Sequence, residues 1–539
     1  MRTRRLRVRL LLVLAFLSLG ATLLGGAARA NSPDPDRGTA GESTYKNPPS
    51  PICSTATSSA ANVNTSCEPL RQNETAIAVN PRDPTNMIES SNDYQYRFST
   101  GGSLTLTVYS RAHVTFDGGR TWTEYPIDFS GYTGTGDPSV AFDADGVAYL
   151  ATLGSANSNN PDVVVSRSSD GGRTWSKPVR VASGSGNLSG TDTFQDHPVL
   201  TAWGHGNVLV TWISYLAGPH AVLRTVPMMD SLSRDDGVTW TAPASISGSA
   251  GFCSGLSSPT ACDQTWGNSP SVSPSGRVLV AFQDTYDYGD GTTNHGRNKY
   301  LCVEVDPATG QRIGGPFLIG QAFDGINEQD YPLTPEPRQT LHDSEFRLLS
   351  QGNLTADPAD PSGKHFAVVW FDDRSAPHPV DPNPYAAITD SDVIVSQTFD
   401  GGHTWTPPGA IRLSGDQFMP WAAYDPSGKL RIGFYDRSYD PANHVYGYTL
   451  ATENAPETLS FSFAPAATAL SDPTQGNRFP LGGATVDPSF PYPANFIGDY
   501  SGIAVTPGHV VASWTDLREN VCIAGRCGHG QNSYFATMP

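Results

Sequence analysis

Apolar and polar positions alternate along this chain in short runs, and the runs come in pairs. From about Gln72 onward an apolar strand, a turn rich in Gly, Pro and Asp, and a second apolar strand recur seven times. The copies span 74–94, 137–151, 196–212, 269–284, 346–374, 419–437 and 499–518, with turns such as DADG, GHGN, SPSG and DPSG. Alternating apolar runs closed by turn residues predict strands rather than helices. The starts recur at intervals of about 60–80 residues, which suits one four-stranded blade each. The pattern therefore predicts an all-β chain: a β-propeller with four-stranded antiparallel blades. Seven blades follow from the count, and six if the interrupted fifth hairpin is an insertion. The tail after residue 532 is too short for an outer hairpin. The segment near Cys53–Cys67 is expected to complete the last blade and close the ring.

A second repeat keeps phase with the first. TFDGGRTW (115–122) returns as SSDGGRTW (168–175), SRDDGVTW (233–240) and TFDGGHTW (398–405), so the shared pattern is Ser/Thr-x-Asp-x-Gly-x-Thr-Trp. An Asp can accept hydrogen bonds from the N–H groups of its own turn, and Gly supplies positive φ. The closing Trp can bury its ring between sheets and still donate its N–H. On these residues the chain resembles the Asp-box (bacterial neuraminidase repeat) proteins of the sialidase-like superfamily, which are β-propellers. The resemblance covers roughly residues 70–539. It implies that Asp117, Asp170, Asp235 and Asp400 are structural, at outer turns away from the active face.

In a propeller the start and end of each inner hairpin face the same side of the disc. The starts carry Glu74, Asp137, Asp196 with His197, and Asp499 with Tyr500. The ends read SNDYQYR (91–97), FQDTYDY (282–288), WFDDR (370–374), FYDR (434–437) and WTDLR (514–518). A ring of acids, arginines and tyrosines around a cleft is the default site. Two readings of the ends stand side by side. Asp and Arg two or fewer residues apart can pair as a structural clasp, or a subset can face the axis.

The resemblance implies what that subset would do. In sialidases three arginines clamp the substrate carboxylate, a Tyr helped by a Glu is the nucleophile, and an Asp is the acid/base. The substrate-binding candidates are Arg97, Arg374, Arg437 and Arg518, with Asp516 and Asp196. The catalytic candidates are Asp372, Asp373, Asp436, Tyr435 and Glu74, with Tyr500 and Tyr94 as further possible nucleophiles. No Phe/Tyr-Arg-Ile-Pro stretch is present. A carboxylate pair across the cleft would equally hydrolyse another glycoside. The expected function is glycoside hydrolysis, exo-α-sialidase at its most specific. The alternatives are a propeller that only binds glycan or protein, and a hydrolase or lyase of another acidic or plant polysaccharide.

Charge and leader narrow the setting. The formal net charge is −18 and no basic patch appears, which argues against nucleic acid as a partner. Residues 1–30 read as a signal peptide: Arg2, Arg4, Arg5, Arg7 and Arg9, an apolar run over 10–24, then Ala28-Arg29-Ala30. The run is short of the roughly 20 residues that span a bilayer. A secreted, extracellular monomer acting on carbohydrate is expected, with no membrane or nucleic-acid partner. Residues 31–70 read as a disordered leader with a Cys53–Cys67 loop, and 71–539 as the propeller. Of seven cysteines, the pairs Cys53–Cys67, Cys253–Cys262 and Cys522–Cys527 are expected, with Cys302 free. No metal site or cofactor is expected, except that the acid-rich loop 284–290 could hold a structural Ca²⁺.

Overall fold

The computed structural model describes residues 54–55, 62–66, 71–98, 104–156, 160–186, 192–218, 222–285, 297–324, 331–332, 339–344, 346–376, 388–473, 496–523 and 526–539. The leader, Cys53, Cys67 and most of the acid-rich 284–290 loop lie outside these residues. Seven antiparallel sheets follow one another along the chain, one per blade, each built around four strands. No described helix is long and apolar enough to cross a membrane.

Blade 1 runs from Gln72–Val79 outward through Met87–Phe98 and Leu104–Thr115 to Thr121–Tyr125, with Ser54–Thr55 added on its outer edge. Blade 2 begins at Gly134–Phe142, blade 3 at Thr193–Trp203 and blade 4 at Thr265–Val272. Blade 5 begins at Leu354–Ala356 and blade 6 at Gln417–Tyr424. The fifth hairpin is thus a true blade and the count is seven.

Blade 7 takes only three strands from the C-terminal part of the chain: Gly502–Thr506, His509–Asp516 and Asn532–Met538. Its fourth strand is Val63–Asn64, antiparallel to Asn532–Met538, with Val63 opposite Phe535 and Asn64 opposite Tyr534. The N-terminal segment closes the ring, as the short tail predicts. The disulfide Cys253–Cys262 forms, and Cys302 is free and buried. Cys522 and Cys527 sit opposite each other in a small hairpin.

The blade faces are apolar because each strand is covered on both sides by neighbouring blades. Separate clusters fill successive gaps. Leu150 and Val164 of blade 2 pack with Ile88 and Val114 of blade 1, and Val368 and Ile394 of blade 5 pack with Leu279 of blade 4.

The four repeated turns are built alike. Each joins the third and fourth strands of a blade. In blade 2, Asp170 Oδ1 accepts from Ser168 Oγ at 2.8 Å and Thr174 N at 2.8 Å, while Oδ2 accepts from Thr174 Oγ1 at 2.6 Å. Asp117, Asp235 and Asp400 repeat this pattern. Each Trp donates its indole N–H to the carbonyl of the Gly three residues before it. The rings wedge against the preceding blade: Trp175 in the gap between blades 1 and 2, Trp240 between 2 and 3, and Trp122 at 5.0 Å from Phe535 of blade 7. The boxes touch the turns of the inner hairpins, as in Gly118 N to Thr85 O at 2.9 Å and Gly401 N to Lys364 O at 3.0 Å. They lie on the face opposite the hairpin starts.

Burial opposes the shift in all four box carboxyls, least in the exposed Asp235, yet the hydrogen bonds hold them below their ordinary range, Asp400 down to about 2. A depressed folded pKa gives stability that is present above the unfolded value and lost as the pH falls through the folded one. Replacing Asp170 by Ala is expected to lower unfolding free energy by about 1–3 kcal/mol at pH 7. Asp→Asn at all four boxes should flatten the acid limb of stability below pH 4. Denaturant titrations as a function of pH check both, and an unchanged midpoint in Asp170→Ala would remove the boxes from the stability of the ring.

Candidate active site at the axial mouth

The innermost strand of five blades carries a bulge at the same height. The register slips between Asn73 and Ala76, Gly136 and Ser139, Asp196 and Val199, Trp266 and Asn268, and Phe418 and Trp421. At each slip one residue adopts left-handed backbone: Glu74 (φ 57°), Asp137 (56°), His197 (49°), Gly267 (50°) and Met419 (48°). Three are followed by proline (Pro138, Pro198, Pro420), which has no N–H for the ladder and is tolerated at bulges. Positive φ in a non-glycine residue costs free energy and clusters at functional sites. Blade 7 enters through Gly498 (φ 97°), where a Cβ would meet Glu74 N at 2.7 Å. The close approach sets Asp499 and Tyr500 beside blade 1.

The bulges assemble four carboxyl groups around one guanidinium. Arg347 donates from Nε to Asp499 Oδ1 at 3.0 Å and from Nη2 to Asp499 Oδ2. Glu74, Asp137 and Asp196 stand close enough for Asp137 to act on the carboxyls of the other two. Asn92 fixes one end of the group, donating to Glu74 Oε2 at 2.5 Å and accepting from Asp137 N at 2.8 Å. Glu74 is held well above the usual carboxyl range, first by burial, then by the charges of Asp137 and Asp499, against the pull of Arg347. Asp196 is raised by burial and by Asp137, with Arg347 again opposing. Burial and crowded like charges both favour the neutral form of Glu74 and Asp196.

Neutral groups line the rest of the mouth. Burial pushes His197 down to about 4. Its Nδ1 accepts from Asn268 Nδ2 at 3.1 Å, which leaves the ring proton on Nε2. Tyr500 donates to Pro138 O at 3.2 Å, and its phenol is raised by burial and by the four surrounding acids. Tyr94 lies beside Glu74, with the Arg71 guanidinium 5.4 Å from its ring centroid; burial pushes it up to about 12. Below the bulges an axial cavity of about 160 Å³ is lined by Pro138, His197, Pro198, Ser269, Trp421 and Tyr500, among others.

Of the residues singled out from sequence, the structure brings Glu74, Asp137, Asp196, His197, Asp499, Tyr500 and Tyr94 to this mouth. Apart from Asn92 and Tyr94, the described candidates at the hairpin ends lie elsewhere. Arg374 forks onto Asp372 at 2.8 and 2.7 Å, and Trp370 Nε1 donates to the same carboxylate at 2.9 Å. Arg518, Asp516 and Trp514 repeat that arrangement at 2.8, 2.6 and 3.0 Å. Arg437, fully buried, reaches Asp416 at 3.2 Å and the carbonyls of His342 and Asn443. Asp436 accepts from Thr449 Oγ1 at 2.6 Å and Ser438 N at 2.8 Å. Asp373 Oδ1 accepts from Asp390 N at 2.8 Å. Tyr435 is in the core, stacked on Phe418, its hydroxyl accepting from Thr515 N at 2.9 Å. The side chain of Arg97 lies outside the described residues. Asp372 and Asp516 thus take the clasp geometry. The second strand of a blade stands one inter-strand spacing, about 4.8 Å, farther from the axis than the first.

Arg347 was missed, although it is the second residue of the fifth hairpin. It lies in the lead-in seven residues before the first strand of blade 5, Leu354–Ala356, where no periodicity marks it.

No family model and no curated protein sequence matches the chain. Among solved structures it is similar to a Dyadobacter fermentans protein of unknown function, at 13% identity over 76% of this chain and 96% of that one, TM-score 0.40. It is also similar to the Hadza microbial sialidase Hz136, at 16% identity over 68% and 63%, TM-score 0.37. A third is the Penicillium chrysogenum α-L-arabinanase, at 11% identity over 87% and 93%, TM-score 0.40.

The electrostatics make one direct prediction. In a histidine NMR titration His197 should change charge at about pH 4 instead of near 6.5, and Asp137→Asn, which removes a charge that favours the imidazolium, should move it lower still. Titration of His197 near 6.5 would mean that the mouth is wetter than its geometry indicates.

Proposed function

We propose that this propeller is a secreted glycoside hydrolase whose reaction takes place at the axial mouth, on a carbohydrate or glycoconjugate, as a monomer. The observation that carries the reading is the meeting of Glu74, Asp137 and Asp196 at the axial mouth, beside the Arg347–Asp499 pair. Glycoside hydrolysis needs a carboxylic acid to protonate the leaving oxygen and a second carboxylate for the developing positive charge or the attacking water. Glu74, raised by burial and by Asp137, is the acid in this reading. Asp137, between the other two, is the second carboxyl group and faces the reacting sugar. Asp196 and His197 position it. Arg347 offsets part of the negative charge and keeps Asp499 ionised beside the acid.

Release of terminal sialic acid is the more specific reading. It is favoured by Tyr94, which has Glu74 and Arg71 beside it, since a phenol needs a base and a nearby cation to act as a nucleophile. Against it, the Arg347 fork is taken by Asp499, so a substrate carboxylate would have to displace that ion pair. An uncharged glycan meets no such competition, and it is the substrate class the charge of the mouth fits better.

A panel of fluorogenic glycosides, neutral, uronic and sialic, separates these readings. Hydrolysis of a neutral glycoside that drops about 10²–10⁴-fold in Glu74→Gln supports the carboxylate mechanism. Sialoside hydrolysis lost in both Glu74→Gln and Tyr94→Phe supports the sialidase reading. Glycan binding with no turnover of any substrate would leave a binding propeller and sink the hydrolase. For an active enzyme, the alkaline limb of kcat/KM should lie well above the ordinary range of a Glu carboxyl. Asp137→Asn should move that limb to lower pH, because it removes a charge that raises Glu74.

A further inference from the structure

We propose that the seam between blades 7 and 1 holds a divalent transition-metal ion, Zn²⁺ by its donor set, on Asp93 Oδ2, His113 Nε2 and Glu124 Oε2. The three residues stand on adjacent strands of blade 1. His113 is opposite Glu89 on one side and Glu124 on the other, and Asp93 is four residues along from Glu89, on the same face. The three ligand atoms lie within 4.8 Å of one another, and His113 Nε2 is 3.7 Å from Glu124 Oε2.

The second atom of each ligand is already held. His113 Nδ1 is 2.6 Å from Glu89 Oε2. Glu124 Oε1 accepts from Arg111 Nη1 at 2.5 Å, and Asp93 Oδ1 accepts from Gln72 Nε2 at 3.5 Å. Glu89 is in turn fixed by Thr65 Oγ1 at 3.1 Å and Ser533 Oγ at 2.8 Å, both from blade 7. A carboxylate behind the distal nitrogen of a histidine is the arrangement that orients metal-bound imidazoles. His113 is fully buried, and neither its Nε2 nor Glu124 Oε2 finds a hydrogen-bond partner among the described residues. Buried nitrogen and oxygen atoms rarely stay in that state. One imidazole with two carboxylates suits zinc better than calcium, which takes six to eight oxygens.

The competing arrangement is a metal-free ion network in which Glu89 and Glu124, against the effect of burial, hold His113 as an imidazolium, with Arg111 Nε 3.9 Å from Asp93 Oδ2. The test distinguishes the two. The full chain is stripped with EDTA, equilibrated with Zn²⁺, Mn²⁺ or Ca²⁺, desalted and assayed for metal content and melting temperature. One Zn²⁺ per chain and a higher melting temperature are expected. Glu124→Gln should lose the metal, and Glu89→Gln should weaken binding about 10–100-fold. If Glu124→Gln does not fold, Co²⁺ in the wild-type chain decides: intense visible bands of a four- or five-coordinate site are expected. Pale six-coordinate Co²⁺, no retained metal, metal retained equally by Glu89→Gln, or Ca²⁺ bound in place of Zn²⁺ would each overturn the assignment.

Discussion

Ring closure is the constraint on which this structure depends. A seven-bladed ring has no free sheet edge in its core only if the last blade is locked to the first. Here the lock is a short N-terminal strand, Val63–Asn64, laid on the C-terminal strand Asn532–Met538. The seam is sealed by Trp122 against Phe535 and by an unusually polar layer that includes Glu89, His113, Thr65 and Ser533. Gly119 belongs to the same seam. A Cβ there would sit 2.1 Å from Phe535 Cε1, so the second glycine of this turn is needed for close approach as well as for its positive φ. The other gaps are closed by apolar packing between consecutive blades. Only this one must join residues from opposite ends of the chain.

A closed ring lets inner strands carry strain. The left-handed residues at the bulges are unfavourable one by one, yet they recur in five blades at one height. Neighbouring blades hold them: Asn92 of blade 1 bonds Asp137 N of blade 2, and Asn268 of blade 4 bonds His197 O of blade 3. The strain turns Glu74, Asp137 and His197 toward the axis, where a regular strand would have pointed alternate side chains into the gaps between blades. Crowding of carboxyls follows, and with burial it raises Glu74 and Asp196 above their ordinary range.

The clasps and the site use the same residue types, which is why residue type alone does not separate them. Trp370-Asp372-Arg374 and Trp514-Asp516-Arg518 have the acid–arginine composition of a substrate cleft, yet each guanidinium is saturated by the carboxylate two residues before it. Their recurrence in two blades was a sign of a structural role. Asp137, Asp196 and His197 look less remarkable in sequence, but each sits next to a proline or a bulge at the start of a hairpin.

The fold was legible because its determinants are local. Period-two apolar runs, Gly-Pro-Asp turns and the Ser/Thr-x-Asp-x-Gly-x-Thr-Trp boxes each act over a few residues, and their repetition counts the blades. The missing outer strand of blade 7 could be inferred from the length of the tail. The site was legible only in part. Glu74 and Asp196 were found because they begin hairpins, while Arg347 lay in an irregular lead-in with no periodicity to mark it. Convergence on an axis depends on how seven strands tilt, bulge and close, and on distances between residues hundreds of positions apart, such as Arg347 and Asp499. The sequence by itself determined the repeating blade and its turns, because those are set by short-range sterics and hydrogen bonds. Tertiary structure alone decided which acids meet, which arginines are already paired and where burial holds a proton, because those are properties of the assembled ring.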